Sequence, residues 1–312
     1  MTTAEAEIPG GVYIPGQHPR AGSGPHDEAP EAGTPVPSDP PLTRILPPKG
    51  WQPVNVRELW QFRELLYFLT WRDVKVRYKQ TLLGAAWAVL QPAMMMVVFT
   101  VFFAKLARVP AGDMPYPLFV YMGLLPWTFF ATAITNAGNS VVGSERLVSK
   151  IYFPRLAIPF ASVGAAVVDF LIAFGLLVAL MLFYGLTPNV QMLMVLPTFL
   201  VIVLLAAGVG TLLAALNVAY RDFRYVIPFM VQVWLFATPT IYMAPDTTGG
   251  GWIKSLMALN PMTGLVAAFR AACCGTALPW AQLGVSAALA VLTFLAACFY
   301  FRRREQSFAD VI

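Results

Sequence analysis

Histidine is almost missing from this chain. The two it has, His18 and His26, both fall in the first 50 residues. That leaves little material for a histidine-based active site or a metal centre. Cysteine is nearly as scarce: Cys273, Cys274 and Cys298 make no disulfide framework and read as small apolar fillers. No Gly-Lys dipeptide occurs anywhere, so the phosphate-cradling loop of a nucleotide site is absent. Charge is the largest deficit. Only 12% of the 312 residues are charged, against about 25% in an ordinary soluble domain. The net charge of +5 is no nucleic-acid signal, because most Lys and Arg flank apolar runs.

What is present is hydrophobic: 58% of the residues, with a mean hydropathy of +0.64. This predicts a polytopic, all-α membrane protein, since backbone polar groups in lipid must be satisfied within helices. Residues 1–50 hold eleven prolines and no apolar periodicity. They read as a disordered cytoplasmic tail, without the apolar core of a signal peptide. Residues 51–81 read as an amphipathic interface helix, with Leu59, Phe62, Leu66 and Leu69 at helical spacing. Residues 82–301 carry six apolar runs: Leu82–Ala104, Pro117–Thr135, Leu156–Tyr184, Met192–Leu216, Val226–Met243 and Trp280–Phe301. A span needs about 20 residues to cross about 30 Å of hydrocarbon, so the fifth run is marginal. Residues 302–312 form a short basic tail.

Orientation follows from Lys and Arg. The connections on the side of the termini carry fourteen, beginning with Arg57, Arg63, Arg72, Lys75, Arg77 and Lys79. The opposite side carries four: Lys105, Arg108, Lys254 and Arg270. The positive-inside rule then places both termini in the cytoplasm. The connection Gly143–Arg155 is too charged for lipid and reads as a short amphipathic helix. Its apolar face is Leu147 and Ile151, its polar face Glu145, Arg146 and Lys150, and Pro154 ends it. The connection Ala244–Pro279 is too apolar for a free loop and too broken for a span, so short re-entrant or interfacial helices are expected.

Three groups invite functional readings. Asp169 is the one charge inside a predicted span, open to a packing role, a proton relay or an ion site. Phe99, Phe102 and Phe103 in the first run, and Trp234 and Tyr242 in the fifth, suit either an interfacial belt or a lining that stacks on sugar rings. The block Arg72, Lys75, Arg77 and Lys79 serves topology and lipid headgroups, and its chemistry also suits a lipid-borne phosphate.

Four stretches come in order: RDVKVRYKQTLLGAAWAVLQP, SERLVSKIYFPR, NVAYRDFRYVIP and LNPMTGLVAAFRAACCG. Together they resemble the permease subunit of ABC exporters for lipid-linked polysaccharides, the O-antigen, capsule and teichoic-acid export family. The resemblance implies a six-span inner-membrane permease acting as a homodimer with two copies of a separate nucleotide-binding subunit. ATP and its magnesium would belong to that partner. It implies an undecaprenyl-pyrophosphate-linked glycan as cargo, with Arg72, Lys75, Arg77 and Lys79 at its entrance on a gate helix. It casts Glu145, Arg146, Leu147, Lys150, Ile151, Tyr152 and Phe153 as the coupling helix that meets the ATPase. It places Phe99, Phe102, Phe103, Trp234 and Tyr242 along the channel. Membrane lipids, and no nucleic acid, complete the expected partners. A drug or lipid exporter of the same fold, and an ion-coupled carrier, are the alternatives.

Overall fold

The computed structural model describes residues 60–79, 84, 86–106, 114–150, 153–242, 257, 259–305 and 308. Among these the chain is all helical. In order the helices are α1 (Arg63–Tyr78), α2 (Ala86–Phe99), α3 (Tyr116–Gly143), α4 (Glu145–Lys150), α5 (Ala157–Phe183), α6 (Val195–Ala219), α7 (Phe223–Ala237), α8 (Pro261–Cys274) and α9 (Trp280–Glu305). The last turn of α2 widens into a π-helical stretch, Thr100–Leu106, and a 3₁₀ turn, Val190–Met194, leads into α6. The N-terminal tail expected at residues 1–50 lies outside the described residues.

Among the described residues five helical stretches are long and apolar enough to cross a membrane: Ala86–Phe103, Tyr116–Gly143, Ala157–Phe183, Val190–Ala219 and Trp280–Glu305. The run Val226–Met243 differs from expectation. It is helical only to Ala237, so α7 has 15 residues and a length of about 22 Å. The cause is local. Pro239 follows Thr238, and a residue before proline is pushed out of the helical region. Thr238 accordingly sits at φ −110°, ψ 130°.

Helix α3 is the axis of the bundle. Most of its span is enclosed by α5, α6, α7 and α8. In lipid there is little hydrophobic force between helices, so close backbone approach and packing must hold them. Gly208 of α6 supplies one such approach. A Cβ there would lie 2.8 Å from the Phe294 Cα of α9, so only glycine lets the two backbones meet. Helix α2 is the opposite case, peripheral and mostly exposed, with Trp87, Met94, Val97 and Phe102 turned outward.

A second, smaller cluster draws on α1, the end of α3, α5, α6 and α9. Leu69, Val141, Phe153, Leu156, Ile158, Val218, Cys298, Phe301 and Phe308 are buried together. Arg155 ties it to the end of α9: its amide donates to Glu305 Oε1 at 3.0 Å and its guanidinium to the Glu305 carbonyl at 2.6 Å.

The connection before α9 contains one helix among the described residues, α8. Residues 243–256, including the Gly249–Trp252 stretch, lie outside the described residues. Asn260 starts α8 and does four jobs. Its side-chain oxygen accepts from the Met262 amide at 3.1 Å and from Trp234 Nε1 at 2.9 Å. Its amide nitrogen donates to Ala237 O and to Thr238 Oγ1. Cap and bridge together are worth about 2–3 kcal/mol. Asn260→Ala is expected to lower the detergent melting temperature and to loosen α7 from α8, seen as faster amide exchange at residues 234–242.

Candidate functional site

Helix α1 does not stand apart from the bundle. It follows α5 for about two turns: Ser162 Oγ donates to Asp73, Gly164 makes room for Thr70, and Arg77 and Tyr78 reach Asp169. Leu69 and Val74 are buried on this side. On the other side Trp60, Tyr67, Phe68 and Trp71 are exposed at i, i+7, i+8 and i+11 spacing. The helix is therefore apolar on two faces, and the exposed aromatic face is the one suited to headgroups.

The intramembrane carboxylate has a partner. Asp169 accepts from the Tyr78 hydroxyl and pairs with the Arg77 guanidinium. An unpaired Asp at this depth costs about 2.5–3.5 kcal/mol on insertion scales, so the pair accounts for its presence. Burial raises the Tyr78 phenol above its usual pKa, partly offset by the Arg77 charge, so at neutral pH it stays a donor. The basic block is thus not four equivalent cations. Arg72 pairs with Asp73 at 2.8 Å, and Arg77 pairs with Asp169. Lys75 lies over the Trp71 ring, 5.5 Å from its centroid. Lys79 is exposed at the end of the helix.

Beside the ion pair opens a cavity of about 350 Å³, between the end of α1 and helices α2, α3 and α5. Arg77, Tyr78 and Asp169 form one wall. Gln91 of α2 and Thr128, Thr132 and Asn136 of α3 contribute polar groups, and Trp87 and Phe129 contribute rings. The sequence showed the three α3 residues at i, i+4, i+8 spacing, but nothing in it showed that they share a cavity with Asp169.

The aromatic candidates separate. Phe99 and Phe103 pair at 5.9 Å between centroids and pack on the main core, while Phe102 faces outward. Trp234 stands edge-on to Phe130 at 5.1 Å and to Trp127 at 6.4 Å, fastening α7 to α3. Tyr242 donates its hydroxyl to Phe236 O at 3.0 Å. Helix α7 instead exposes Tyr225, Phe229, Val233 and Phe236 along one face.

In and around α4, Glu145 and Arg146 are exposed and Leu147 is half-buried. Phe153 is turned inward, 5% exposed, in the smaller cluster. Ile151, Tyr152 and the side chain of Lys150 lie outside the described residues.

One of the four cations counted on the opposite side has a structural use. Arg270 sits on α8 with its guanidinium 3.9 Å from the Phe119 ring centroid. It donates to Thr240 O at 2.6 Å and to Pro239 O at 3.4 Å. It closes the carbonyls left open where α7 stops.

The profile of the ABC-2 type transporter family matches residues 64–273. The O-antigen export system permease protein RfbA of Myxococcus xanthus is 30% identical over 82% of this chain and 98% of that protein. A protein of the same name from Klebsiella pneumoniae is 25% identical over 80% of this chain and 95% of its own length. The polysialic acid transport protein KpsM of Escherichia coli is 20% identical, over 76% and 92%.

Proposed function

The chain belongs to the ABC-2 type transporter membrane family, and from that premise we propose that it is the transmembrane subunit of an ABC exporter for a lipid-linked, O-antigen-like polysaccharide. The observation that carries this reading is the near end-to-end match with a permease named for O-antigen export. ATP and its magnesium bind a separate nucleotide-binding subunit, and this chain does no covalent chemistry. Two copies of the permease assemble with two copies of that subunit in the inner membrane. The exposed faces of α2 and α7 support the pairing, since they are the least internally packed apolar helices. In this reading α7 and the turn after it complete six crossings, and both termini face the cytoplasm.

The cargo is an undecaprenyl-pyrophosphate-linked glycan. Its pyrophosphate meets Arg72, Lys75, Arg77 and Lys79 at the end of α1. Lys75 and Lys79 are the most accessible of the four and offer the first contact. Closure of the ATPase dimer moves α4 and the residues around it, and the bundle parts along α2 and α7. Phe99, Phe102 and Phe103, with the outer face of α7, then line the path.

Deleting the gene is expected to abolish surface glycan and to build up lipid-linked glycan on the inner face, both restored by the wild-type gene. Unchanged surface glycan together with lost drug tolerance would favour a drug exporter of the same fold. Proton-driven uptake by the purified chain alone would favour an ion-coupled carrier.

A further inference from the structure

The cavity beside Asp169 contains more polar chemistry than its ion pair uses. Helix α3 carries a run of hydroxyl and amide residues, and their fates differ by face. Thr135 donates to Ala131 O, Asn139 to Thr135 O, and Ser140 to Ala137 O. Asn217 of α6 adds a bond to Asn139 at 3.1 Å. These residues turn away from the cavity, and their polar atoms are satisfied by helix or neighbour. On the cavity face Thr128 donates to its own helix and keeps only acceptor capacity. Thr132 and Asn136 make no hydrogen bond with any described residue, and neither does Gln91 across the cavity.

Polar groups at membrane depth are costly, and those not used for packing mark a path or a ligand. The ladder Thr128–Thr132–Asn136 extends about 12 Å along α3. Hydroxyl and amide groups that both give and accept hydrogen bonds match a polyhydroxylated ligand. Trp87, about half exposed, brings an indole ring to the same cavity, and the C–H face of a sugar ring packs on such planes; Phe129 lines the cavity from the packed side. The volume of about 350 Å³ falls at the small end of ligand sites, which run from about 300 to 1,000 Å³. Arg77 closes one end.

We propose that Thr128, Thr132, Asn136 and Gln91 form a carbohydrate-reading subsite, which holds the first sugar of the lipid-linked glycan while its pyrophosphate lies at the end of α1. The subsite rests on the reading of the chain as a lipid-linked glycan exporter, and it deepens that reading. Arg77 recognises the charge common to every such lipid. The α3 ladder distinguishes a lipid that bears sugar from one that does not.

The full chain in lipid nanodiscs tests this through binding isotherms with two probes. One is undecaprenyl pyrophosphate; the other is the same lipid bearing a single N-acetylhexosamine. Wild type is expected to prefer the glycosylated probe by about tenfold, the effect of one or two uncharged hydrogen bonds. Thr132→Val and Asn136→Leu should each reduce that preference, and the double variant should bring it to about one, whereas Thr132→Ser should keep it. Should Asn136→Leu fail to insert, the isosteric Thr132→Val decides alone. Variants that keep the full preference overturn the subsite, and so does a wild type that binds both probes equally; neither result touches the pyrophosphate entrance. A wild type that binds neither probe overturns the cargo reading, and the subsite with it.

Discussion

Asp169→Leu lowers the detergent melting temperature by roughly 5–10 °C, for a loss of about 2–3 kcal/mol. The figure follows from what the substitution leaves behind. Arg77 loses its counter-ion, and the Tyr78 hydroxyl loses its acceptor. Breaking a buried pair costs about 3–5 kcal/mol. Here the side chains are 31% and 20% exposed, so solvent recovers part of that cost. The double variant Arg77→Met with Asp169→Leu removes both charges, and it should regain most of the lost stability. Arg77→Met alone should cost less than Asp169→Leu, because Asp169 keeps its bond from Tyr78. Melting curves of the four proteins form a cycle whose coupling measures the pair. No coupling would mean that the pair does not hold α1 to α5. The cycle also separates two roles for Arg77: a double variant that is stable but no longer takes up lipid-linked glycan assigns the guanidinium to the cargo as well as to the fold.

Gly123→Ala is expected to cost about 2–3 kcal/mol, seen as lost yield of monodisperse protein and a lower melting temperature. Gly123 faces the turn after α7. A Cβ at this position would run into the carbonyl oxygen of Thr240 and into the Arg270 guanidinium. The oxygen is backbone, held by the same guanidinium, so it cannot rotate away. The guanidinium is fixed on its other side by the Phe119 ring. Insertion of one methyl would therefore push α8 from α3 or release the carbonyls that Arg270 closes. Gly143→Ala on the same helix meets no atom within 4 Å and serves as the control. Equal stability of the two variants would show that α7 and α8 are less tightly keyed than the geometry indicates.

Where apolar runs are long, the sequence was enough to place helices. The first four runs and the last all lie on helical stretches long enough to cross, because about 20 apolar residues in lipid have no other way to satisfy their backbones. The fifth was harder to read. Its apolar residues continue past Thr238, but Pro239 ends the helix, and the composition of the run hides that break. What could not be read at all were contacts between residues far apart in the chain. Asp169 was visible as an isolated charge, while its partners stand 91 and 92 positions earlier in a stretch that topology alone explained. Arg270 was legible as one more cation of the opposite side, because charge counting does not see what a guanidinium touches. The resemblance cast Phe153 as a contact of the coupling helix, and Trp234 suited an interfacial belt or a lining that stacks on sugar rings. Burial uses the first to seat the segment after α4 and the second to fasten α7. The rungs Thr132 and Asn136 were readable as spacing and were passed over, since a helix face gains meaning only when its neighbour is known.

Chain order gives the smaller cluster a meaning that its packing alone does not. Leu69 enters it early in synthesis, Val141 to Ile158 midway, and Cys298, Phe301 and Phe308 only once α9 has been made. A nascent chain inserts its helices one after another and cannot close this cluster until α9 has been made. Until then α1 and the segment after α4 rest on an unfilled hollow. The cluster thus acts as a completion mark: a protein cut short before α9 keeps the preceding helices but lacks the contacts that Cys298 and Phe301 make with Leu69 and Phe153. Such a product exposes apolar surface at the membrane edge, within reach of quality-control proteases.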